Sequence, residues 1–343
     1  MLVVAAPAAF TAVAGAVNVA VASAGDMASA ITRAVESAGA ICDAAPVAAG
    51  GEGTLDALGG AARTATVRGP LGVPVTAEWR IRDDGTAVVE MARASGLRLV
   101  GPEGNDPLRA STAGTGDLIA AALDAGARRV IVGAGGSAST DGGLAALTAL
   151  NPRRRLHAGV ELIVACDVDT LFVDAAEVFA PQKGATPAQV ALLRRRLERL
   201  AQIYVRDYGV DVTELAGSGA AGGLAGGLAA AGAELVAGFD AVADALSLAE
   251  RIAGADLVVT GEGTVDAESF EGKAVGGVVD LATEAGVPVL IIAGEVRADE
   301  LPELPASVKL VSLVARFGPE RVTGDPTGCI ADVVDSAVRD WAR

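Results

Sequence analysis

The residues able to do chemistry lie in short glycine-rich runs. The most telling run, Gly-Glu-Gly-Thr-x-Asp-Ala, occurs twice: at Gly51-Glu52-Gly53-Thr54-Leu55-Asp56-Ala57 and at Gly261-Glu262-Gly263-Thr264-Val265-Asp266-Ala267. Each copy follows an apolar run that reads as a strand, Ile41 to Ala49 and Asp256 to Thr260, and each precedes a segment that can be helical. A strand that ends in a glycine turn with two carboxylates and then opens a helix is where α/β proteins hold ligands. Glycines let the backbone approach a bound group, and free helix N–H groups attract an anion. Carboxylates bind a divalent cation or take a proton from a hydroxyl. Two ordinary turns in a chain with 44 glycines are the competing interpretation; the shared spacing favours a common task.

A second run, Gly135-Gly136-Ser137-Ala138-Ser139-Thr140-Asp141-Gly142-Gly143, is the densest Gly/Ser/Thr/Asp loop of the chain. It stands between an expected strand, Arg129 to Gly133, and an expected helix, Leu144 to Leu150. Backbone N–H groups, hydroxyls and one carboxylate at such a junction suit a phosphate or metal–phosphate site. Asp141 is also a good helix cap. A third strand, Glu161 to Ala165, ends in Cys166-Asp167-Val168-Asp169. The glycine-rich run Gly217 to Gly227 either cradles an anion or permits tight helix packing. Of 27 basic residues only three are lysines, and Lys183 and Lys273 both neighbour turn glycines. A compact flexible cation there suits phosphate; solvated turn residues are the alternative.

Several elements must position these runs. Met1 to Ala6 reads as a first buried strand, followed by a loose Ala-rich loop. Asp26 to Ser37 reads as a helix with Asp26 as its N-cap. Residues 62–91 alternate β-branched residues around Gly-Pro and Asp-Gly turns, which predicts an antiparallel meander. Helices are expected near Leu118 to Ala125, at Pro187 to Gln202 and at Ile330 to Trp341, and strands at Val289 to Ala293 and Lys309 to Val314. Arg194, Arg195, Arg196 and Arg199 read as a solvated helix face. The pattern predicts two α/β domains: a Rossmann-like parallel-sheet domain from 1–62 plus 255–343, and an inserted mixed-sheet domain at 63–254.

Composition narrows the function. The chain has 343 residues, 51% hydrophobic but only 3% aromatic, so its core must be built from Ala, Val, Leu and Ile. A net charge of −16 argues against nucleic acid as a partner. Cys42, Cys166 and Cys329 read as small core residues in a reducing cytoplasm. His157 is the single histidine, which excludes a His-based zinc site, and it reads as a surface or loop residue; the Ser-x-Gly pieces lack a histidine partner, which excludes a Ser-His-Asp hydrolase. The uncharged first 25 residues lack the basic n-region of a signal peptide, so no targeting and no membrane span is expected. A Walker P-loop is absent, and no Gly-x-Gly-x-x-Gly follows a strand with an acid about 20 residues on.

Taken in order, these segments resemble the bacterial glycerate kinases of type 1. The matching stretches are Gly-Gly-Glu-Gly-Thr-Leu-Asp-Ala (50–57), Ser-Thr-Ala-Gly-Thr-Gly-Asp-Leu-Ile (111–119) and Gly-Gly-Ser-Ala-Ser-Thr-Asp-Gly-Gly (135–143). They continue with Val-Ala-Cys-Asp-Val-Asp (164–169), Pro-Gln-Lys-Gly-Ala-Thr-Pro (181–187), Gly-Ser-Gly-Ala-Ala-Gly-Gly-Leu (217–224) and Thr-Gly-Glu-Gly-Thr-Val-Asp (260–266) with Gly272-Lys273. The resemblance implies two α/β domains with the ligands in a cleft between them, ATP with Mg²⁺, and D-glycerate as the phosphoryl acceptor. The chain departs from the pattern near its start, where Pro7 is followed by Ala8-Ala9-Phe10-Thr11 rather than Asp-Ser-Phe-Lys, and at Ala49, where the family has an acid. The stretch between Leu150 and Glu161 and the loop after Asp169 are shorter than in the family.

Phosphoryl transfer needs a nucleotide cradle, metal ligands, a base for the acceptor hydroxyl and cations on the transferring group. Asp141, Asp167, Glu262, Asp266 and Lys183 are the candidate catalytic residues, with Asp167 and Glu262 as candidate metal ligands. Gly135, Gly136, Ser137, Gly219, Gly222, Gly261, Gly263 and Lys273 are candidates for the nucleotide, and Glu52, Thr54 and Asp56 for the acceptor. The departures at Ala8, Thr11 and Ala49 open a second reading, a non-catalytic paralogue that binds a nucleotide or organic acid. The sequence leaves the oligomeric state open, a homodimer among the options.

Overall fold

The computed structural model of the chain describes residues 1–14, 17–101, 103–156, 159–297 and 301–341; the side chains of 11–21 are outside the description, as is His157. The described chain separates into two compact units. The first comprises Met1–Ala48, Asp56–Leu58 and Val242–Arg343, and the second Ala49–Leu55 and Gly59–Ala241.

The first unit is built on a parallel five-stranded sheet in the order Val308–Ser312, Val289–Val296, Leu257–Val265, Leu2–Ala5, Ile41–Ala44. Its central strands are continuous apolar runs, as expected of strands covered on both faces. Helices Ala24–Ser37 and Pro326–Trp341 bury Met27, Ile31, Val35, Ile330 and Val334 against Val3, Leu257, Leu290 and Ile292. Ser23, not Asp26, caps the first of these helices. Its hydroxyl accepts from the Asp26 N–H at 3.1 Å while Asp26 returns a carboxylate to the Ser23 N–H, a reciprocal capping box. The expected Ala-rich loop after the first strand is instead an antiparallel hairpin, Phe10–Ala14 with Val17–Ala22.

The second unit holds a mixed six-stranded sheet in the order Glu234–Ala237, Glu161–Cys166, Arg129–Gly133, Thr86–Glu90, Pro74–Ile81, Ala61–Arg68. The first four strands run parallel, and the last two complete the meander predicted for residues 62–91. Its core joins Val89, Ile119, Val132 and Val164 of the sheet and covering helices to Leu193, Leu197 and Tyr204 of the helix Pro187–Tyr208. That helix runs six residues past its expected end, until Gly209 adopts the left-handed conformation at φ +74°.

The two Gly-Glu-Gly-Thr copies do not share a conformation. In the first, Gly53 takes φ +97° and Thr54–Leu58 forms a short helix. The second lies inside the strand Leu257–Val265 and pairs with Val289–Val296, so it is not the glycine turn that its residues suggest. A Cβ on Gly261 would lie 1.9 Å from the Ile292 carbonyl oxygen; glycine is needed there for strand contact.

Candidate active site

Strands Arg129–Gly133 and Glu161–Cys166 are parallel neighbours, with Gly133 level with Ala165. The segments leaving the two strands therefore emerge at the same edge, the carboxyl end at which α/β sheets place ligands. From one strand comes the loop Ala134–Gly143; from the other comes Asp167, which is exposed. The first Gly-Glu-Gly-Thr turn packs against both. A Cβ on Gly135 would fall 2.9 Å from Gly51 Cα, one on Gly136 would fall 2.7 Å from Glu52 Oε1, and one on Gly51 would lie 3.7 Å from Asp167 Oδ2. Gly136 is exposed and has φ +67°, so side-chain-free backbone faces solvent beside the Glu52 carboxylate. Three motifs spread over more than a hundred residues of sequence, from Gly51 to Asp167, thus meet within the second unit.

Other side chains fix this edge. Thr54 is buried and donates its hydroxyl to the Gly51 carbonyl at 2.8 Å, which makes it part of the turn. Glu52 pairs with Arg98 at 3.2 Å, and Asp56 is exposed on the short helix. Glu90, which the sequence reading passed over, is 1% exposed. Its Oε1 accepts from the Gly53 and Leu55 N–H groups at 2.8 and 3.0 Å, and its Oε2 accepts from Arg93 Nε at 3.0 Å. The signal was a carboxylate closing the apolar strand Ala87-Val88-Val89-Glu90, where an acid is tolerated only if partnered.

Behind the loop lies Lys183, 2% exposed. Its Nζ donates to Ser137 Oγ at 2.7 Å and to the Ser139 carbonyl at 2.6 Å. Asn105 ties the Ala138 and Lys183 carbonyls together at 3.0 and 2.9 Å. Burial pushes the Lys183 ammonium down to about 7, with the Asp141 charge opposing the fall. Lys183 therefore grips the loop from inside. Asp141 keeps partial solvent exposure but is densely surrounded, and burial pushes its carboxyl up against hydrogen bonds that pull it down. Those bonds come from the Thr112 N–H and hydroxyl, both at 2.9 Å, from the Gly143 N–H at 3.2 Å and from Ala145. The N-cap residue of the helix Leu144–Leu150 is Gly143, at φ +77°, so Asp141 ties the loop to Thr112 from two residues upstream rather than occupying the cap position itself. Gly219 and Gly222 are buried, and Cβ atoms there would lie 2.4 Å from the Leu171 and 2.1 Å from the Ser139 carbonyl oxygens. Their surroundings match the packing alternative for the Gly217–Gly227 run. Cys166 is buried, and its thiol is pushed up to about 12 by burial and by the charges of Asp167 and Asp169, so it is no nucleophile.

In the first unit, Glu262, Asp266 and Lys273 lie on and just beyond the second heptapeptide. Glu262 is half-buried, and its Oε1 has no hydrogen-bond partner among the described residues. Burial pushes its carboxyl up, opposed by the Ser269 hydroxyl and the Lys273 charge. A buried, unpartnered carboxylate oxygen is a hard donor of the kind magnesium takes. No group of three or more His, Cys, Asp or Glu side chains that could hold a metal occurs among the described residues. Asp266 forms a reciprocal capping box with Ser269 and pairs with Arg297 at 3.5 Å. Lys273 precedes the helix Ala274–Ala285 and pairs with Glu268 at 2.8 Å. Gly263 lies in the strand beside Glu262, its carbonyl against Gly294.

Comparison with known proteins gives one consistent answer. The family model described as the glycerate kinase family matches residues 3–158 and 151–319. Glycerate 2-kinase of Escherichia coli K12 is 41% identical over 290 residues, covering 74% of this chain and 76% of its own. Glycerate kinase of Bacillus subtilis 168 is 40% identical with the same coverage. A crystal structure assigned as glycerate kinase 2 from Salmonella typhimurium LT2 superposes with a TM-score of 0.82 at 33% identity, covering 100% of this chain and 98% of that one. Among the described residues no helix is long and apolar enough to cross a membrane.

Proposed function

The chain belongs to the glycerate kinase family, and on that premise we propose that it catalyses ATP-dependent phosphorylation of D-glycerate to 2- or 3-phosphoglycerate. The observation that carries this reading is the meeting of the Gly135–Ser137 loop, the Gly51–Thr54 turn and Asp167 at the carboxyl ends of adjacent parallel strands. Phosphoryl transfer asks little covalent chemistry of a protein; it asks for positioning and for charge stabilisation. Gly135 and Gly136 give phosphate oxygens close access to backbone, while Lys183 and Asn105 hold the loop in shape from behind. Asp167, exposed at this edge, is the group we assign to accept the proton of the acceptor hydroxyl. Glu52, held by Arg98, and the turn braced by Glu90 set the acceptor's position.

Glu262 is the carboxylate we assign to magnesium, on the strength of its unpartnered Oε1. When bound, magnesium would neutralise charge on the phosphates. A second reading is a paralogue that binds nucleotide or organic acid without turnover. Ala8 favours it: its N–H donates to the Gly261 carbonyl at 2.9 Å, which places an uncharged methyl beside the second heptapeptide. The two readings separate in one assay, ADP release from Mg²⁺-ATP by the purified chain with and without D-glycerate. Glycerate-dependent ADP supports the kinase. ATP binding without ADP release, restored by Ala8→Asp with Ala49→Asp, supports the paralogue.

A further inference from the structure

A cavity of about 440 Å³ lies within the second unit, between the helix Pro187–Tyr208 and the loop Thr140–Leu144. It is separate from the site described above: Gly135, Gly136 and Asp167 take no part in its lining. Its wall is apolar, formed by Leu144, Leu193, Leu197, Leu200 and Ile203. Three arginines of the same helix, Arg195, Arg196 and Arg199, border this hydrocarbon. All three are exposed, and none makes an ion pair among the described residues; Arg196 donates to the Leu108 carbonyl at 3.0 Å. The one carboxylate in the wall, Asp141, is already engaged by Thr112 and Gly143. In a chain of net charge −16, the cavity is thus a local excess of cations. Thr140 supplies the wall's one hydroxyl; the residue is 3% exposed, and its hydroxyl oxygen is buried without a hydrogen-bond partner.

Each feature narrows the ligand. The volume is that of a small-molecule site. A body with many polar edge atoms would find one hydroxyl to pair with and leave the rest unsatisfied, so the slot suits hydrocarbon. Arg195 and Arg199 stand four residues apart on one helix face, where like charges repel; an anion shared between them relieves that repulsion. Their planar forks match a carboxylate. We propose that this cavity binds a small amphipathic acid, with its aliphatic body against Leu144, Leu197 and Leu200 and its carboxylate on Arg195 and Arg199. The arginine run expected as a solvated helix face thus has a ligand site beneath it. Thr140 and Asp141 belong to the same loop as Ser137 and Ser139, which Lys183 grips, so an occupant of the cavity touches the far end of that loop.

Calorimetric titration of the purified chain with octanoate, with acetate and with octanol tests this. Octanoate should bind saturably at one site per chain and more tightly than acetate, which lacks the body, or octanol, which lacks the charge. In the Arg195→Ala/Arg199→Ala double variant octanoate should bind at least about tenfold more weakly, as loss of charge-assisted hydrogen bonds predicts. Leu144→Glu, at a position 48% exposed and at the start of a helix, where an acid is favoured, puts a like charge in the wall and should weaken octanoate by a similar factor. Both variants change exposed residues, and their urea unfolding should match wild type. ATP added to the octanoate-saturated chain should leave octanoate bound. Absence of saturable octanoate binding, or an affinity unchanged in both variants, overturns the proposal. Displacement of octanoate by ATP also overturns it, because the cavity would then belong to the reaction site. None of these readouts needs turnover, so the cavity and the kinase reading fail separately.

Discussion

Replacing Lys183 by methionine gives a quantitative test of how the loop is held. The Lys183 ammonium is 2% exposed and donates to Ser137 Oγ and the Ser139 carbonyl. Burial lowers it from 10.5 to about 7. Each tenfold change in proton affinity is worth about 1.4 kcal/mol, so folding this group costs about 4 kcal/mol near neutral pH. The folded value lies below the unfolded one, so folding releases a proton. The cost is fully present below about pH 7, shrinks as pH rises from there towards the unfolded value of 10.5, and is gone above it. Between about pH 7 and about pH 9 the wild-type chain should gain about 2 kcal/mol from this residue alone. Lys183→Met lacks the titration, and its lost hydrogen bonds lower stability by nearly the same amount at both pH values. Urea denaturation of both proteins at the two pH values isolates the effect as a difference of differences. A wild-type advantage that grows by about 2 kcal/mol towards alkaline pH fits the structure. An advantage that stays constant within about 0.5 kcal/mol would refute a desolvated Lys183.

Glu90→Gln keeps the shape of the side chain but removes the charge that accepts from Gly53, Leu55 and Arg93; it should cost about 3 kcal/mol in denaturant unfolding and raise the KM for the acceptor, whereas full stability would show that the turn needs no anion. Gly222→Ala, at φ +71° and with a Cβ 2.1 Å from the Ser139 carbonyl oxygen, should lower stability by more than about 2 kcal/mol, because both the backbone and the loop behind Ser139 must move. Glu262→Gln should make the chain more stable near neutral pH while reducing turnover. Burial raises the Glu262 carboxyl, so its cost appears as pH climbs above the unfolded carboxylate range and persists at neutral pH. A thermal scan at acid and at neutral pH would contradict this if the variant gained nothing at the higher value.

Local pattern carried much of the architecture. The strand Arg129–Gly133 and the helix Leu144–Leu150 fall where hydrophobic periodicity puts them, because each is bounded by glycine and carries its own apolar face. The hairpin Phe10–Ala22 was missed: the alternation of Val17, Val19 and Val21 is a strand signal, but the Ala and Gly around it read as loop. The heptapeptides show the deeper limit. Near-identical residues form a turn and short helix where Glu90 binds two N–H groups, and a strand where Val289–Val296 offers a ladder. Their conformation is decided by partners that no local window contains. The same holds at the site. Gly135, Gly136 and Asp167 announced themselves by type and by their place after strands, whereas Glu90 and Asn105 act through contacts 33 to 78 residues away. Lys183 looked like a cation offered to phosphate, and only its burial shows that it grips its own loop.

Phosphorus NMR of the reaction mixture tests the central claim most directly. The purified chain with Mg²⁺-ATP and D-glycerate should produce a phosphomonoester resonance together with ADP. The resonance should be absent without glycerate and strongly diminished in Asp167→Ala. ATP that remains intact in the presence of D-glycerate, or a phosphomonoester formed equally well by Asp167→Ala, would contradict the site described above.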